Sequence, residues 1–296
     1  MGAVEGGGGG WRVDSRCINC DAARQLAPGL IEEAGGRSVV VRQPRTDEEA
    51  GLLQRAAHAC PTRSVRPPSG RLEAEHDPFP LALDERVYLC GHHARQTAGA
   101  ASYLLRRGDG SSVMVDTPRW GEDLAARYET LGPVTDVLLT HRDHAAHGRQ
   151  WADRLGARLW IHEGDREAAP DADRVVRGIE AVTVVEGVTA LPFPGHTRGS
   201  MLCLADDRYC FSGDSFYWSR TTDDLEVAES VTWYSIEVLA ESLARAVGRL
   251  RFEWLLPGHG GHRRLDADAM AVRLRGLAER TGRLAPRPVD FTAVRW

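Results

Sequence analysis

Three short segments constrain this chain more than anything else in it: Pro194-Gly-His196-Thr-Arg-Gly-Ser200, Phe211-Ser-Gly-Asp214 and Pro257-Gly-His259-Gly260. Each sets a side chain of metal-ligand type beside glycine, directly after a run that reads as a β-strand. Glycine allows the sharp backbone turn that lets such a side chain point into a shared pocket. In α/β folds, site residues collect where strands end at one edge of a sheet. The segments therefore predict a single site gathered from strand ends far apart in sequence. Taken singly, each has a plainer reading: His after Pro-Gly as a loop or capping residue, Gly-Asp as a turn. Their joint occurrence, in order, carries the inference.

Strands are predicted over 86–90, 101–106, 111–116, 134–140, 157–161, 188–192, 200–205, 208–212 and 252–256, where β-branched and aromatic residues run between Gly, Asp or Pro. Helices are predicted over 121–131, 145–155, 235–250 and 266–280 from apolar residues at helical spacing. Hairpins mixed with strand–helix units imply a layered α/β domain, sheets inside and helices outside, over residues 86–280. A compact stretch, 11–68, precedes it. Residues 69–85, with Pro78 and Pro80, read as an extended linker or as a strap across a neighbouring domain. A tail follows at 281–296.

The glycine-rich residues 1–10 read as a disordered leader without the basic and apolar regions of a signal peptide. No apolar run approaches the roughly 20 residues that span a bilayer. A cytoplasmic location is expected, with no membrane partner. In a reducing compartment, the six cysteines are expected as thiols or metal ligands rather than disulfides. The net charge of −5 argues against a nucleic-acid partner.

Two more segments complete the pattern. Val113-Met-Val-Asp116-Thr is a strand ending in Asp, and Val134-Thr-Asp-Val-Leu-Leu-Thr140 runs into His141-Arg-Asp-His-Ala-Ala-His147. With these segments in this order, the chain resembles the metallo-β-lactamase superfamily, which includes glyoxalase II-like hydrolases. The resemblance implies an αββα sandwich with His196, Asp214 and His259 as metal ligands, Asp214 being shared between two ions. It implies that Asp116 stands behind a ligand and orients it. Imidazoles and carboxylates suit zinc, iron or manganese.

The family's His-x-His-x-Asp-His signature is altered. The matching positions read His141, Arg142, Asp143, His144, Ala145 and Ala146, so Asp143 replaces the second His, and two alanines replace the last Asp and His. This register leaves His141, Asp143, His196 and Asp214 for one ion, and only Asp214 and His259 for a second. It favours a single ion, with Asp116 and Asp143 as the carboxylates of catalytic interest. A helix starting near Asp143 would instead place His144 and His147 on one face, within reach of the vacated second position. A solvated face is an equal reading of His147.

Upstream, Cys17-Ile-Asn-Cys20, an apolar helix, a hairpin and Ala59-Cys60-Pro61 resemble a small bacterial-type ferredoxin, an α+β domain. The resemblance implies an iron–sulfur cluster on Cys17, Cys20 and Cys60. Ala23 stands where a third loop cysteine is expected. That leaves a 3Fe-4S cluster, a 4Fe-4S cluster with an outside ligand, or a relic that packs without metal. Cys90, Cys203 and Cys210 fall in strands as buried thiols, and His92 and His93 read as a solvated loop. Phe216, Trp218, Trp233 and Tyr234 line a pocket or, more ordinarily for aromatics, a core.

The expected function is a metal-dependent hydrolase of a small molecule, carrying one or two divalent ions (zinc or iron). The alternatives are an iron-dependent redox protein fed by the ferredoxin-like domain and an external redox partner, or a non-catalytic module. The substrate is not legible, because substrate loops vary independently of the metal motif.

Overall fold

Alternation along the strands decides the layering. In Tyr103–Arg106 and Ser112–Val115, successive side chains point to opposite faces. Tyr103, Leu105, Val113 and Val115 thus enter a core between two sheets, while Leu104 and Met114 enter another beneath helices. The structure is a computed structural model describing residues 9–293. Apart from Gly9 and Gly10, the expected leader lies outside the described residues, as do the last three residues of the expected tail.

One sheet has seven strands in the order Arg174–Val176, Arg158–His162, Val134–Leu138, Ser112–Val115, Tyr103–Arg106, Val87–Leu89 and Leu81–Ala82. The other has six: Val182–Val185, Val188–Pro192, Met201–Ala205, Tyr209–Gly213, Trp254–Pro257 and Arg263–Arg264. Helices Glu122–Glu129 and Gly148–Leu155 cover the first sheet through Leu124, Tyr128 and Trp151. Helices Ile236–Ala246 and Ala267–Thr281 cover the second through Leu239, Leu243, Met270 and Leu274. This is the expected αββα sandwich. Among the described residues, no helix is long and apolar enough to cross a membrane.

The amino-terminal unit holds helix Ala22–Leu26, hairpin Ile31–Ala34 with Arg37–Val40, and helix Asp47–Ala59, closed by pairing of Arg12–Val13 with Val65–Arg66. Thr46 caps the longer helix, its hydroxyl accepting the Glu49 N–H at 3.2 Å, and Asp47, Glu48 and Glu49 favour that end of the helix dipole. Trp11, Leu30 and Leu53 belong to the same apolar core as Val87 and Leu89, so the two parts share buried surface.

Of the two readings of 69–85 the strap holds, and one expected helix starts late. The stretch 69–85 is a strap rather than a free linker: Leu81–Ala82 pairs with Val87–Leu89, Phe79 is buried, and Asp77 holds His92 and Arg127. The helix expected from residue 145 begins only at Gly148, because Arg142–His144 forms a tight 3₁₀ turn. The edge strands Arg174–Val176 and Val182–Val185 are short, and Arg174 and Thr183 are exposed, which left their signal weak.

The seam between the two parts is tightest at Gly99. Its φ of +90° is left-handed, and a Cβ there would lie 2.7 Å from both Cβ and Sγ of Cys20. Gly99→Ala is therefore expected to cost about 2 kcal/mol or more, from overpacking and backbone strain together. Chemical denaturation of the full chain measures it, and an unchanged midpoint would refute the packing described.

Candidate metal centre

The strands Val188–Pro192, Tyr209–Gly213 and Trp254–Pro257 run in one direction, so His196, Asp214 and His259, which follow them, emerge at one edge. Ser112–Val115 and Val134–Leu138 are likewise parallel and deliver Asp116 and His141. The three residues named from separate segments do meet. Gly258 shows how tightly: a Cβ there would lie 2.3 Å from Cε1 of His144 and 2.7 Å from Oδ1 of Asp214.

Two buried sets of three share Asp214: His141, His196 and Asp214, and His144, Asp214 and His259. Asp214 Oδ2 lies 3.6 Å from His141 Nε2, 3.5 Å from His144 Nε2 and 3.8 Å from His196 Nε2. These distances are too long for good hydrogen bonds, yet they are what two donors on one ion at about 2.0–2.2 Å would show. All three Nε2 atoms are buried without a hydrogen-bond partner among the described residues. Buried polar atoms are rarely left so, and the donor set fits a divalent cation. Asp143 lies beside the first set, its Oδ2 3.7 Å from both His141 Nε2 and His196 Nε2. His259 Nδ1 is 3.0 Å from both oxygens of Asp214, and its Nε2 is 3.3 Å from the Ala98 carbonyl.

Asp116 belongs to neither set and sits behind His144. Its carboxylate accepts the Thr140 N–H and hydroxyl, both at 2.8 Å, and His144 Nδ1 at 2.8 Å. A proton on Nδ1 leaves the lone pair of Nε2 facing Asp214, the usual division of labour in a ligating His. Burial opposes the charged form of His144, but Asp116 and Asp214 outweigh it and raise its pKa well above 6.5. The site thus attracts a cation, be it a proton or a metal. Burial likewise tends to raise Asp214, yet the charges of His259 and His144 hold its carboxyl well below 3.8. Asp143 is also lowered: burial works against this, and the nearby His196 imidazole and the charge of His141 prevail. His141 moves down, chiefly by burial and then by repulsion from His144.

The comparisons agree with this geometry. Residues 97–282 match the model of the metallo-β-lactamase superfamily. The chain belongs to that superfamily. The hydroxyacylglutathione hydrolase of Methylobacterium sp. (strain 4-46) is 30% identical over 131 residues, 43% of this chain and 51% of its own length. That of Cereibacter sphaeroides is 30% identical over 166 residues, 55% of this chain and 62% of its own. The chain thus spans between half and two thirds of these relatives. Among solved structures, DIM-1 metallo-β-lactamase superposes with a TM-score of 0.51 at 18% identity, covering 67% of this chain and 95% of that one. TMB-1 gives 0.52 at 16% identity with the same coverage, and both likenesses concern the fold. Residues 13–66 match the model of the 4Fe-4S single cluster domain of ferredoxin I.

Within the metallo-β-lactamase centre, the altered signature has a structural answer. The 3₁₀ turn carries His144, not Ala145 or Ala146, to Asp214 and His259. Of the two readings of His147, the ligand reading is corrected: His147 stands at the N-cap of helix Gly148–Leu155 without a side-chain capping bond, its Nδ1 3.0 Å from Gln150 Oε1, outside both ligand sets. The helix starts too late to put the two imidazoles on one face.

A pocket of about 340 Å³ opens above the centre, lined by Asp143, His196, Asp214 and His259 below and by Ile18, Asn19 and Cys20 on one wall. Trp233 and Phe291 form an apolar rim, their rings 5.1 Å apart. Phe216 and Trp218 are core residues instead. The wall from the ferredoxin-like unit and Phe291 of the tail were missed in the sequence; a lone aromatic in a polar tail was the available signal. His92 and His93, read as solvated, are buried. His93 Nδ1 donates to the Gly99 carbonyl at 2.7 Å, and burial lowers its pKa to about 4.

The three upstream cysteines also converge. Cys17, Cys20 and Cys60 line one small cavity together with Ala23, at the side lacking a fourth thiol. Backbone N–H groups point at the sulfurs, Ser64 to Cys60 Sγ at 3.2 Å and Asn19 to Cys17 Sγ at 3.4 Å. Such donors are how a loop supports cluster thiolates. For Cys60, burial alone would raise the thiol, but hydrogen bonds led by that of Ser64 bring it below 9. Cys20 instead is pushed by burial to about 12. Cys90, Cys203 and Cys210 are buried and free, as expected.

Proposed function

We propose that this chain is a metal-dependent hydrolase of a small-molecule ester, with thioesters of the hydroxyacylglutathione kind as the first class to test. One observation carries the reading: two buried ligand sets meet at Asp214 on the floor of an open pocket. When bound there, a divalent ion supplies Lewis acidity, polarising a carbonyl oxygen and acidifying water. The chain's own residues supply the rest. His141, Asp143, His196 and Asp214 would hold one position, and His144, Asp214 and His259 the other. Asp116 orients His144. Asp143, partly open and lining both the pocket and the adjoining cleft with Arg142 and Arg198, is placed to accept a proton from attacking water. Trp233 and Phe291 would exclude water around an apolar acyl group.

The test is turnover of model thioesters by zinc- and iron-loaded protein, with His144→Ala and His147→Ala compared. His144→Ala is expected to lose about one ion per chain and lower turnover on the order of 100-fold, whereas His147→Ala should retain both. Absence of hydrolysis above buffer with either metal would sink the proposal. Two retained ions in His144→Ala would remove that residue from the ligand set.

A second reading, an iron-dependent redox protein, rests on Cys20. This thiol lines both the cysteine cavity and the pocket over Asp214, so a cluster on it would border the metal centre. Iron in both places, with cluster reduction by an added donor changing the spectrum of the metal centre, would favour this reading over hydrolysis.

A further inference from the structure

A second cleft, about 560 Å³, lies where the amino-terminal unit, the strap and helix Glu122–Glu129 meet. It shares no lining residue with the pocket over Asp214. Arg63, Arg66, Arg71, Arg119 and Arg127 all line it. Two are neutralised, Arg66 by Asp14 at 3.3 Å and Arg127 by Asp77 at 2.6 Å. Among the described residues, Arg63, Arg71 and Arg119 have no carboxylate within ion-pair distance. Of the acids in the lining, Glu122 is engaged by Arg154 and Asp77 by Arg127 and His92, leaving Asp123.

Arg119 is the informative one. It is half-buried, and its guanidinium donates only to uncharged acceptors: His92 Nδ1 at 2.8 Å and the carbonyls of Cys60 and His58 at 3.4 and 3.5 Å. A charge withdrawn from water without a counter-charge is costly. His58 lines the same cleft and is more than nine-tenths buried; its Nδ1 lies 3.9 Å from Asp77 Oδ1, and its Nε2 has no hydrogen-bond partner among the described residues. The Arg119 guanidinium and His58 Nε2 are therefore left without an anionic partner at one place. Leu72, Trp120 and Leu124 add an apolar flank.

We infer that this cleft binds a small phosphate ester, the dianion set among Arg63, Arg71 and Arg119 and the organic body against Trp120. Guanidinium forks match phosphate oxygens, and the volume suits a small ligand rather than a macromolecule. Such a ligand is an effector and not the substrate, since its cleft is separate from the metal centre. Arg119 and His92 give it a path inward, to the Cys60 carbonyl and to the His92–His93 pair beside Gly99.

Titration calorimetry of the full chain with phenyl phosphate, at fixed ionic strength, tests the inference. One site per chain is expected, tighter than inorganic phosphate. Arg63→Ala and Arg71→Ala, both at exposed positions where folding is safe, should each weaken binding about tenfold. Binding should persist in Asp214→Ala, which separates the cleft from the metal centre. Absence of binding, indifference to both arginine changes, or loss in Asp214→Ala would overturn the inference. Tighter binding of citrate than of phenyl phosphate would overturn the phosphate-ester class.

Discussion

Asp214→Ala is expected to empty the metal centre and lower turnover on the order of 10³-fold or more, the loss of both Lewis acidity and acidified water. Among the described residues, no other side chain belongs to both candidate ligand sets. Its Oδ2 is within 3.5–3.8 Å of three Nε2 atoms, and both oxygens face His259 Nδ1. Removing the carboxylate leaves four imidazoles close together with only Asp116 and Asp143 as counter-charge, so repulsion compounds the missing ligand. Asp214→Asn keeps the volume and removes only the charge, and it should lose metal nearly as completely. Elemental analysis of the folded monodisperse fraction, with circular dichroism as the folding control, reads both variants. Metal content equal to that of the parent would refute the assignment.

Cys60→Ser is expected to abolish the brown colour of anaerobically purified protein, or of protein reconstituted with iron and sulfide. With Ala23 in place of a fourth thiol, the cavity offers three sulfurs, and losing one leaves two. Cys60 is the strongest single choice, because Ser64 N–H, Ser64 Oγ and Thr62 Oγ1 all converge on its sulfur. Electron paramagnetic resonance distinguishes a three-iron from a four-iron cluster. Parent protein that stays colourless after reconstitution would establish the relic reading and remove the support for a redox function.

The layered architecture was legible because it rests on local patterns. Period-two burial in Tyr103–Arg106 and Ser112–Val115, and helical spacing in Ile236–Ala246, depend on neighbours a few residues away. Short edge strands with exposed residues, and the strap, carried no such pattern. Phe79 and the side chain of Asp77 are covered by what packs over them, not by anything in their own segment.

The site divides in the same way. His196, Asp214 and His259 were readable because each follows a strand and glycine, and sheet topology brings such ends to one edge whatever the rest of the chain does. The choice of His144 over Ala145, Ala146 and His147 was not readable. It depends on the direction of a side chain leaving a 3₁₀ turn, set by the hydrogen bonds of Asp116 to Thr140 and His144 from a neighbouring strand. Cys20 as a wall of the metal pocket, and the burial of His92 and His93, arise from docking of two separately patterned units. The sequence by itself determined that His196, Asp214 and His259 meet at one edge and the layered frame that carries them, since both follow from local spacing. Tertiary structure alone decided which imidazole completes the second ligand set and what closes the pocket, because those depend on contacts between segments that no local pattern encodes.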